Sequence, residues 1–321
     1  MGVNARGPVL VATETADVTA DMVITEINRR SVPVVRFNPA DVGTDLTLSA
    51  WFGNQPTPVA GQLRTLSRTA DLPQARAVYW RRPVWPDFPH LNDNDARFAA
   101  AQVRYGLGGA LYAVEGPLWV NHPLRNAAAD YKPVQLALAK RLGLSVPPTL
   151  VTNDPAHARE FMSVHRQVIH KTLRWTPYER DGVPVTGWTR PVTPDEIDDS
   201  LRVAPHLFQS RVDKTCDVRV LVVGRRVFAV RIDSGLLDWR TDYTGHSYSV
   251  VDLPGPLRER LLVYLDHLGL SSGSFDLAVD RAGRWWWLEL NPNGQWGWLE
   301  QRTGAEMSAA FADLLIRGAT A

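Results

Sequence analysis

Two acidic residues lie in strongly apolar stretches near the C-terminus, where residues 275–298 read FDLAVDRAGRWWWLELNPNGQWGW. If the chain reverses in a two-residue turn at 282–283, Asp276 faces Glu289 directly across a β-hairpin. Like charges directly opposite each other destabilise a sheet. Burying them unpaired costs roughly several kcal/mol each. The hairpin therefore predicts a positively charged partner for both carboxylates.

A divalent cation is one such partner. Strand alternation puts Asn291 on the face of Glu289, with Leu288 and Leu290 pointing the other way. Two carboxylates and an amide are all oxygen donors, which suits Mg²⁺. The alternative is a structural ion-pair network with Arg219 or Arg284. Under the metal interpretation, removing one carboxylate relieves repulsion, so stability without metal is expected to fall little.

Three basic residues precede the hairpin in the chain. Lys132 comes just before a predicted helix N-terminus, where free amides and the helix dipole favour anions. Lys171 ends the strand-like run VIHK, and Arg219 lies in the strand-like run DVRV. Each alone also fits a solvated or paired side chain. Together with the acidic pair they favour the metal interpretation over a structural ion-pair network.

The N-terminal part alternates strand and helix patterns. The strand-like runs are GPVLVAT, VPVVRFN and ARAVYWRRP, and the helical patterns cover residues 16–31 and 94–115. This alternation predicts a small parallel α/β domain.

The order of elements then becomes mixed. Pro133 suits the start of a helix and Gly143 its C-terminal cap. A hairpin is predicted to turn near Gly224, with helices over 254–270 and 304–317. The fold class expected is therefore α/β followed by α+β.

Composition bounds the function. The 321 residues carry 35 Lys and Arg against 34 Asp and Glu, so net charge gives no reason to expect a nucleic-acid or membrane surface. The single cysteine, Cys216, cannot form an intramolecular disulfide, and we expect it to be a core residue. With no signal-peptide pattern at the N-terminus, a cytoplasmic protein is expected.

Several sequence runs follow one another in a fixed order: NHPLRNAAADYKPVQLALAKRLGL, VIHK, FQSRVDKTCDVRV, and FDLAVD with WWWLELNPNGQW. Together they resemble the ATP-grasp fold over about residues 120–300. With YWRRP and ELNPNGQWGWLE, the chain is similar to the ATP-grasp maturases of ribosomal peptides, the graspetide or microviridin-type synthetases. The resemblance implies a pre-ATP-grasp domain over 1–122, a central lobe over 123–205 and a C-terminal lobe over 206–321.

The resemblance assigns roles around ATP and Mg²⁺. Phosphates are expected on Lys132 and Lys171, and the transferred phosphate or acyl-phosphate on Arg219. LFQSRVD matches the hinge strand of such enzymes, with Gln209 and Val212 expected at adenine and Asp213 at ribose. The remaining assignments are Arg231 for charge neutralisation, and Asp276, Glu289 and Asn291 for Mg²⁺. Many relatives carry glutamate where this chain has Ser210, which leaves the ribose assignment open.

The implied reaction activates an Asp or Glu side chain of a precursor peptide as an acyl-phosphate. A Ser or Thr hydroxyl then forms an ω-ester, or a Lys amine an ω-amide, which closes a ring. The expected partner is a precursor peptide with a leader. A homodimer is an open alternative to a monomer, and neither nucleic acid nor membrane is expected.

Candidate peptide contacts lie in two places. Residues 174–195 are rich in Pro, Gly and Trp, and they form either a leader contact or a loop over the nucleotide. In the first case Trp175, Tyr178 and Trp188 anchor the peptide. Arg81 and Arg82 either face substrate carboxylates or form ion pairs between lobes.

Two other functions remain as alternatives. One is an ATP-grasp ligase that adds free amino acids to a peptide or protein terminus, which would share the ATP site. The other is a non-catalytic peptide-binding relative, against which the intact set of basic and acidic site residues argues. The run Trp285–Trp287 is expected in the core, and the histidines lack the spacing of a zinc site.

Overall fold

A computed structural model of the chain describes residues 7–53, 57–174, 176 and 178–319. The N-terminal part runs through β1 (Val9–Ala12), α1 (Val18–Arg29), β2 (Val34–Phe37), β3 (Thr47–Phe52), β4 (Val59–Arg64), β5 (Thr69–Asp71), β6 (Ala77–Trp80), α2 (Asp93–Tyr112) and β7 (Leu118–Val120). Four of these strands form a parallel sheet in the order β2-β1-β6-β7. The predicted parallel α/β arrangement is confirmed. The antiparallel sheet β3-β4-β5 was not predicted.

The central part continues with α3 (Pro123–Ala129), α4 (Lys132–Arg141), β8 (Thr149–Thr152), α5 (Pro155–Val164), β9 (Val168–Lys171), β10 (Glu179–Arg180), β11 (Val183–Pro184), β12 (Arg190–Val192) and β13 (His206–Ser210). Its antiparallel sheet has the order β12-β9-β13-β8, and β10 and β11 form a separate small hairpin. Strand β13 thus carries the hinge sequence beside the strand that ends at Lys171.

The C-terminal part contains β14 (Lys214–Val223), β15 (Arg226–Asp233), β16 (Ser247–Val250), α6 (Gly255–Leu268), β17 (Ser272–Asp280), β18 (Trp285–Asn291), α7 (Gly297–Thr303) and α8 (Met307–Arg317). Its antiparallel sheet has the order β16-β15-β14-β17-β18. The predicted turn at Gly224 is confirmed, because Val223 pairs with Arg226.

The register of the β17–β18 hairpin is as predicted, although its turn is not. Asp276 pairs with Glu289. The Asp280 amide donates to the Arg284 carbonyl, so the loop has three residues, and Gly283 supplies its positive φ of 76°. A β-bulge between Asp276 and Leu277 adds one residue to β18 and restores the register.

The bulge changes the side-chain pattern of β18. Leu290 packs in the core as expected, whereas half-buried Leu288, the residue that the bulge adds, lies outside the core clusters. The expectation that Leu288 points away from Glu289 is therefore wrong. Trp287 is buried in the core. Trp286 is only half-buried and is not a core residue, and its Nε1 donates to Asp280 Oδ2 at 2.9 Å.

One hydrophobic cluster joins the N-terminal sheet to the C-terminal part. It contains Val9 and Tyr79 from the parallel sheet together with Trp296 and Phe311. The rings of Trp296 and Phe311 stack with centroids 4.9 Å apart. Cys216 lies, as expected, in a second cluster beneath the C-terminal sheet. None of the helices in the described part of the chain has the length and apolar character to cross a membrane.

Candidate active site

Three oxygen-donor side chains converge at the end of the β17–β18 hairpin. Asp276 and Glu289 are cross-strand partners. Asn291 Nδ2 donates to Asp276 Oδ2 at 3.1 Å and to Glu289 Oε1 at 3.4 Å. All three line one cavity of about 590 Å³. This donor set fits Mg²⁺, which favours carboxylate and amide oxygens.

Cations surround both carboxylates. Arg219 is the cross-strand neighbour of Asp276 on β14, and its Nη1 lies 2.7 Å from both carboxylate oxygens. Lys132 Nζ lies 2.5 Å from Glu289 Oε2, and Arg240 Nη1 lies 3.5 Å from Glu289 Oε1. The ion-pair network with Arg219 is thus present, whereas Arg284 pairs with Asp280 instead.

The two carboxyl groups have opposite protonation tendencies. Although burial opposes ionisation, Lys132, Arg240 and Lys171 hold the pKa of Glu289 well below its usual value. Burial raises the pKa of Asp276, against the effect of Arg219, and the charge of Glu289 adds to the rise. Facing carboxyl groups with separated pKa values are typical of functional sites.

The two predicted phosphate lysines meet in the main cavity. Lys132 begins α4 and Lys171 ends β9. Both line the cavity, and the positive charge of Lys132 is held against Glu289. Burial lowers the pKa of Lys171 to about 8, although the negative charge of Glu289 opposes this.

The predicted hinge residues lie at another part of the same cavity wall. Gln209 and Val212 line it, and the Gln209 amide donates to Thr149 Oγ1 at 2.9 Å. Asp213 does not line this cavity. Its exposed carboxylate pairs with Arg281 at 2.9 Å, so the ribose assignment lacks support from its position.

An unpredicted ion pair takes the place beside the hinge. Lys214 Nζ lies 2.6 Å from Asp217 Oδ2 and donates to the Leu237 carbonyl at 2.8 Å. Burial raises the pKa of Asp217 to about 6. Both side chains line the main cavity. Two polar residues three apart were the only sequence signal for them.

Arg231 is not brought to the site. Arg231 on β15 pairs with Val218 on β14, so these two side chains share one face of the sheet. Arg219 follows Val218, and its side chain therefore lies on the opposite face. Its guanidinium binds Asp233 instead, with Nη2–Oδ1 at 2.8 Å. The arginine that approaches Glu289, beside Lys132, is Arg240, which the sequence analysis did not identify. Arg240 lies in a loop without periodicity, and its only signal is Asp238 two residues earlier.

Arg81 and Arg82 have separate environments. Arg81 is 1% exposed, and its Nη1 donates to the Asn293 carbonyl at 2.9 Å. Its Nη2 also contacts Gln295 Oε1. Arg81 therefore joins the N-terminal domain to the loop after β18. Arg82 is exposed and lines both the main cavity and a second one.

The second cavity adjoins the first and has a volume of about 360 Å³. Asn291 and Arg240 line both cavities. Gly294 in its wall keeps the chain close to Arg219, because a Cβ there would lie 2.7 Å from Arg219 Nη2. The predicted metal ligand Asn291 thus lies where the two cavities meet.

The predicted peptide-contact segment lies partly over the main cavity. Trp188 lines that cavity, and the Thr189 amide donates to Asp238 Oδ2 at 3.2 Å. Tyr178 is 55% exposed beside the small β10–β11 hairpin. Trp175 lies outside the described residues. Both roles expected for this segment are therefore compatible with its position.

The described residues contain no group of three or more His, Cys, Asp and Glu side chains that could hold a metal ion. The candidate Mg²⁺ site differs from such a group because its third donor is an amide.

Comparison with known proteins identifies the fold. No family model and no curated protein matches the chain. The solved structure of a RiPP-associated ATP-grasp ligase from Chryseobacterium gregarium, in complex with ADP and a leader and core peptide, has 28% identity and a TM-score of 0.89, covering 96% of each chain.

Two further solved structures share the fold. The macrocyclase MdnC from Microcystis aeruginosa MRC, bound with its precursor peptide MdnA, has 24% identity and a TM-score of 0.86, covering 96% of this chain and 98% of its own. The ATP-grasp ligase PsnB, complexed with a minimal precursor, Mg and ADP, has 22% identity and a TM-score of 0.75, covering 96% of each chain. The protein therefore belongs to the ATP-grasp superfamily, and over nearly its whole length it is similar to ligases that are associated with ribosomally made peptides.

Proposed function

We propose that the protein is an ATP-dependent peptide ligase that forms rings in a ribosomally made precursor peptide. It activates Asp or Glu side chains as acyl-phosphates and joins them to Ser or Thr hydroxyls or to Lys amines. The observation that carries this proposal is the meeting of two cavities at Asn291, the first lined by Lys132 and Lys171 and the second by Arg219.

The main cavity has the features that a nucleotide needs. Lys132 and Lys171 supply positive charge for phosphates, and the start of α4 supplies free amides. The strand end at Gln209 and the loop to Val212 offer backbone groups to adenine. The ligase from Chryseobacterium gregarium is described in complex with ADP, and PsnB with Mg and ADP, which supports the same use of this cavity.

The second cavity has the features that a peptide carboxylate needs. Arg82, Arg219 and Arg240 line it. Among the described residues of its wall, Asp130 is the one with a carboxylate. Guanidinium groups bind carboxylates through parallel hydrogen bonds. A carboxylate held here lies beside Asn291, next to the phosphate end of the main cavity.

The reaction proposed has two steps. A peptide carboxylate attacks the γ-phosphate of ATP, forming an acyl-phosphate and releasing ADP. A hydroxyl or amine then attacks the acyl carbon and expels phosphate, so the peptide loses one water per bond. Arg219 and Arg240 hold the carboxylate and neutralise developing charge, because phosphoryl transfer depends mainly on positioning and electrostatics. Bound Mg²⁺ would supply further charge neutralisation at Asp276, Glu289 and Asn291.

A leader peptide is proposed to bind near residues 178–192. Tyr178 is exposed there and Trp188 reaches the main cavity. The structures with a leader and core peptide and with the precursor MdnA support a peptide partner. Deleting residues 178–186 is expected to weaken precursor binding more than ATP binding. Equal loss of both would contradict the leader contact.

The proposal is tested with purified protein, ATP, Mg²⁺ and a precursor peptide encoded beside its gene. We expect ADP formation that depends on the peptide and a loss of 18 mass units per bond, one water each. Hydroxylamine added during turnover should trap the acyl-phosphate as a hydroxamate. ATP turnover that yields an added free amino acid, with a mass gain, would instead favour the terminal ligase.

A further inference from the structure

An aromatic wall in the second cavity is not explained by carboxylate activation. The wall consists of Trp239, Tyr243 and Trp298, and it faces the same space as the three arginines. From it we propose that the protein selects precursor peptides in which an aromatic residue lies directly beside the acidic residue to be activated. This inference rests on the proposed function and names the substrate class of that site.

The three rings form one preassembled surface. Trp239 and Trp298 have centroids 5.3 Å apart, and Tyr243 lies 5.8 Å from Trp239 and 6.2 Å from Trp298. Tyr248 of β16 supports Trp298 from behind at 5.3 Å. Packed rings lose little side-chain freedom on binding, which favours aromatic contacts.

The wall is open to a ligand. Tyr243 is 55% exposed, and Trp298 is half-buried, whereas Trp239 beneath them is 7% exposed. A large apolar side chain exposed beside a polar cavity is typical of a binding surface.

Charge fixes the kind of ligand. Arg82 makes no ion pair with any described residue, and its φ of 49° holds it in the left-handed region. Such backbone strain is concentrated at binding and catalytic sites. A cavity lined by three guanidinium groups and three rings fits an acidic side chain with a neighbouring aromatic one.

The position of the aromatic wall indicates which part of a bound peptide it contacts. Arg240 and Asn291 line both cavities, so an activated carboxylate has to lie close to them. The peptide on either side of that residue then continues within the second cavity. Its nearest side chain meets the aromatic wall, where ring–ring contact adds to simple apolar burial.

The test uses the full-length protein with an ATP analogue and Mg²⁺. Its ligands are four acetylated tetrapeptide amides of sequence Gly-Asp-X-Gly or Gly-Asn-X-Gly. Calorimetry compares X as Trp, Leu and Gly after Asp, and X as Trp after Asn. We expect the Asp-Trp peptide to bind about 3- to 10-fold more tightly than the Asp-Gly peptide. The Asp-Leu peptide should lie between them, and the Asn-Trp peptide should bind most weakly.

Variants locate the effect. Tyr243→Ala should reduce the advantage of Asp-Trp over Asp-Gly to less than about twofold, and Tyr243→Phe should keep it. Tyr105→Ala is the matched control, since Tyr105 is 80% exposed on α2 and lines neither cavity. Arg82→Gly should weaken every Asp peptide while leaving the Trp-to-Gly ratio unchanged.

Two outcomes would overturn the inference, and they differ from failure of the proposed function. Equal affinity for Asp-Gly and Asp-Trp peptides in the native protein would refute the aromatic selection alone. An undiminished ratio in Tyr243→Ala would refute the assigned wall. If no tetrapeptide binds although the ATP analogue does, this inference fails, whereas the proposed function fails only if the full precursor peptide is not modified either.

Discussion

At the scale of single residues, Glu289 is the point where the charges of the site meet. It contacts Lys132 and Arg240, and Lys171 lies close enough to lower its pKa further. Among the residues that the structure describes, Asp276 opposite it has Arg219 as its one direct ion-pair partner. The facing carboxyl groups are therefore tolerated because each has its own cation.

This arrangement reverses an expectation based on repulsion between the two acids. In Glu289→Gln, the nearby lysines and arginine lose their shared counter-charge. Breaking a buried ion pair by removing one partner costs about 3–5 kcal/mol. We expect the free energy of unfolding of Glu289→Gln, measured in urea without metal, to fall by about that amount, and peptide-dependent ADP formation to be lost.

Asp276→Asn should behave similarly, since it leaves the buried guanidinium of Arg219 without its partner. Glu160→Gln is the control, because Glu160 is exposed on α5 and should change neither quantity. A Glu289→Gln variant as stable as the native protein would show that repulsion dominates after all.

At the scale of elements, one hydrogen-bonded chain joins the peptide-contact segment to the site. The Thr189 amide donates to Asp238 Oδ2, and Asp238 binds Arg240 through two contacts of 2.8 Å. Arg240 in turn approaches Glu289. Although burial opposes its ionisation, Arg240 keeps the pKa of Asp238 below its usual value. Asp238 is thus a positioning residue between two lobes.

We expect Asp238→Asn to lower peptide-dependent turnover about tenfold or more, because it weakens a charge-assisted bidentate contact. Binding of an ATP analogue should change much less. Hydrogen exchange of the Thr189 amide should become faster, which a purely local defect at Arg240 would not produce. Asp242→Asn is the control, since Asp242 accepts from Thr244 in the same loop. Unchanged exchange at Thr189 in Asp238→Asn would contradict the link.

Two strands of the central sheet carry a pair of histidines that should make the stability of the protein depend on pH. His170 on β9 and His206 on β13 lie with ring nitrogens 3.2 Å apart. Burial, His206 and Arg190 lower the pKa of His170 to about 4 from its ordinary value of 6.5, against the opposing charge of Glu196. The folded protein therefore disfavours the charged imidazole, so the unfolded chain binds more protons between these values.

Stability should accordingly fall as pH decreases from about 6.5 towards 4, and be fully present above 6.5. Urea unfolding at a series of pH values measures this, and His170→Asn should flatten the dependence across that interval. His90→Asn, at an exposed position before α2, is the control. An equally steep decline in His170→Asn would assign the effect to other groups.

The same scale explains what the sequence could and could not predict. Strands and long helices follow hydrophobic periodicity, which is local, and the Asp276–Glu289 pairing follows once those strands are adjacent. Hydrophobic periodicity does not reveal the three-residue loop or the bulge at Leu288. The predicted Asp276–Glu289 pairing is nevertheless correct, because the extra loop residue and the bulge shift the register by one residue in opposite directions. Arg240 and the Lys214–Asp217 pair depend on how loops fold back over the sheet, which periodicity does not encode.

At the scale of the whole molecule, the N-terminal domain is part of the site's support. Arg81 is fully buried between lobes, donates to the carbonyls of Asn293 and Gly294, and has Asp17 at 3.4 Å. The loop it holds follows Asn291 directly. The hydrophobic cluster around Trp296 spans the same boundary. Domain and catalytic lobe are therefore expected to unfold together.

Replacement of Arg81 tests this coupling. Arg81→Met keeps much of the side-chain volume but removes the cation beside the buried carboxylate of Asp17, which still accepts from Thr13 and Ala20, and leaves two loop carbonyls without their donor. We expect calorimetry to show one unfolding transition at lower temperature, with a loss of about 3–5 kcal/mol, since a buried charge loses its partner. Arg29→Met, at an exposed pair with Glu26, should change stability by less than about 1 kcal/mol.

The number of transitions separates two kinds of molecule. If the lobes were independent and Arg81 merely joined them, its loss would resolve two transitions, and residues 123–321 alone would fold. Because Val9, Tyr79, Trp296 and Phe311 share one core, removal of residues 1–122 would instead expose that apolar face. We therefore expect the 123–321 fragment to aggregate or remain unfolded, so that loop 293–295 and the adjoining cavity exist only in the intact chain.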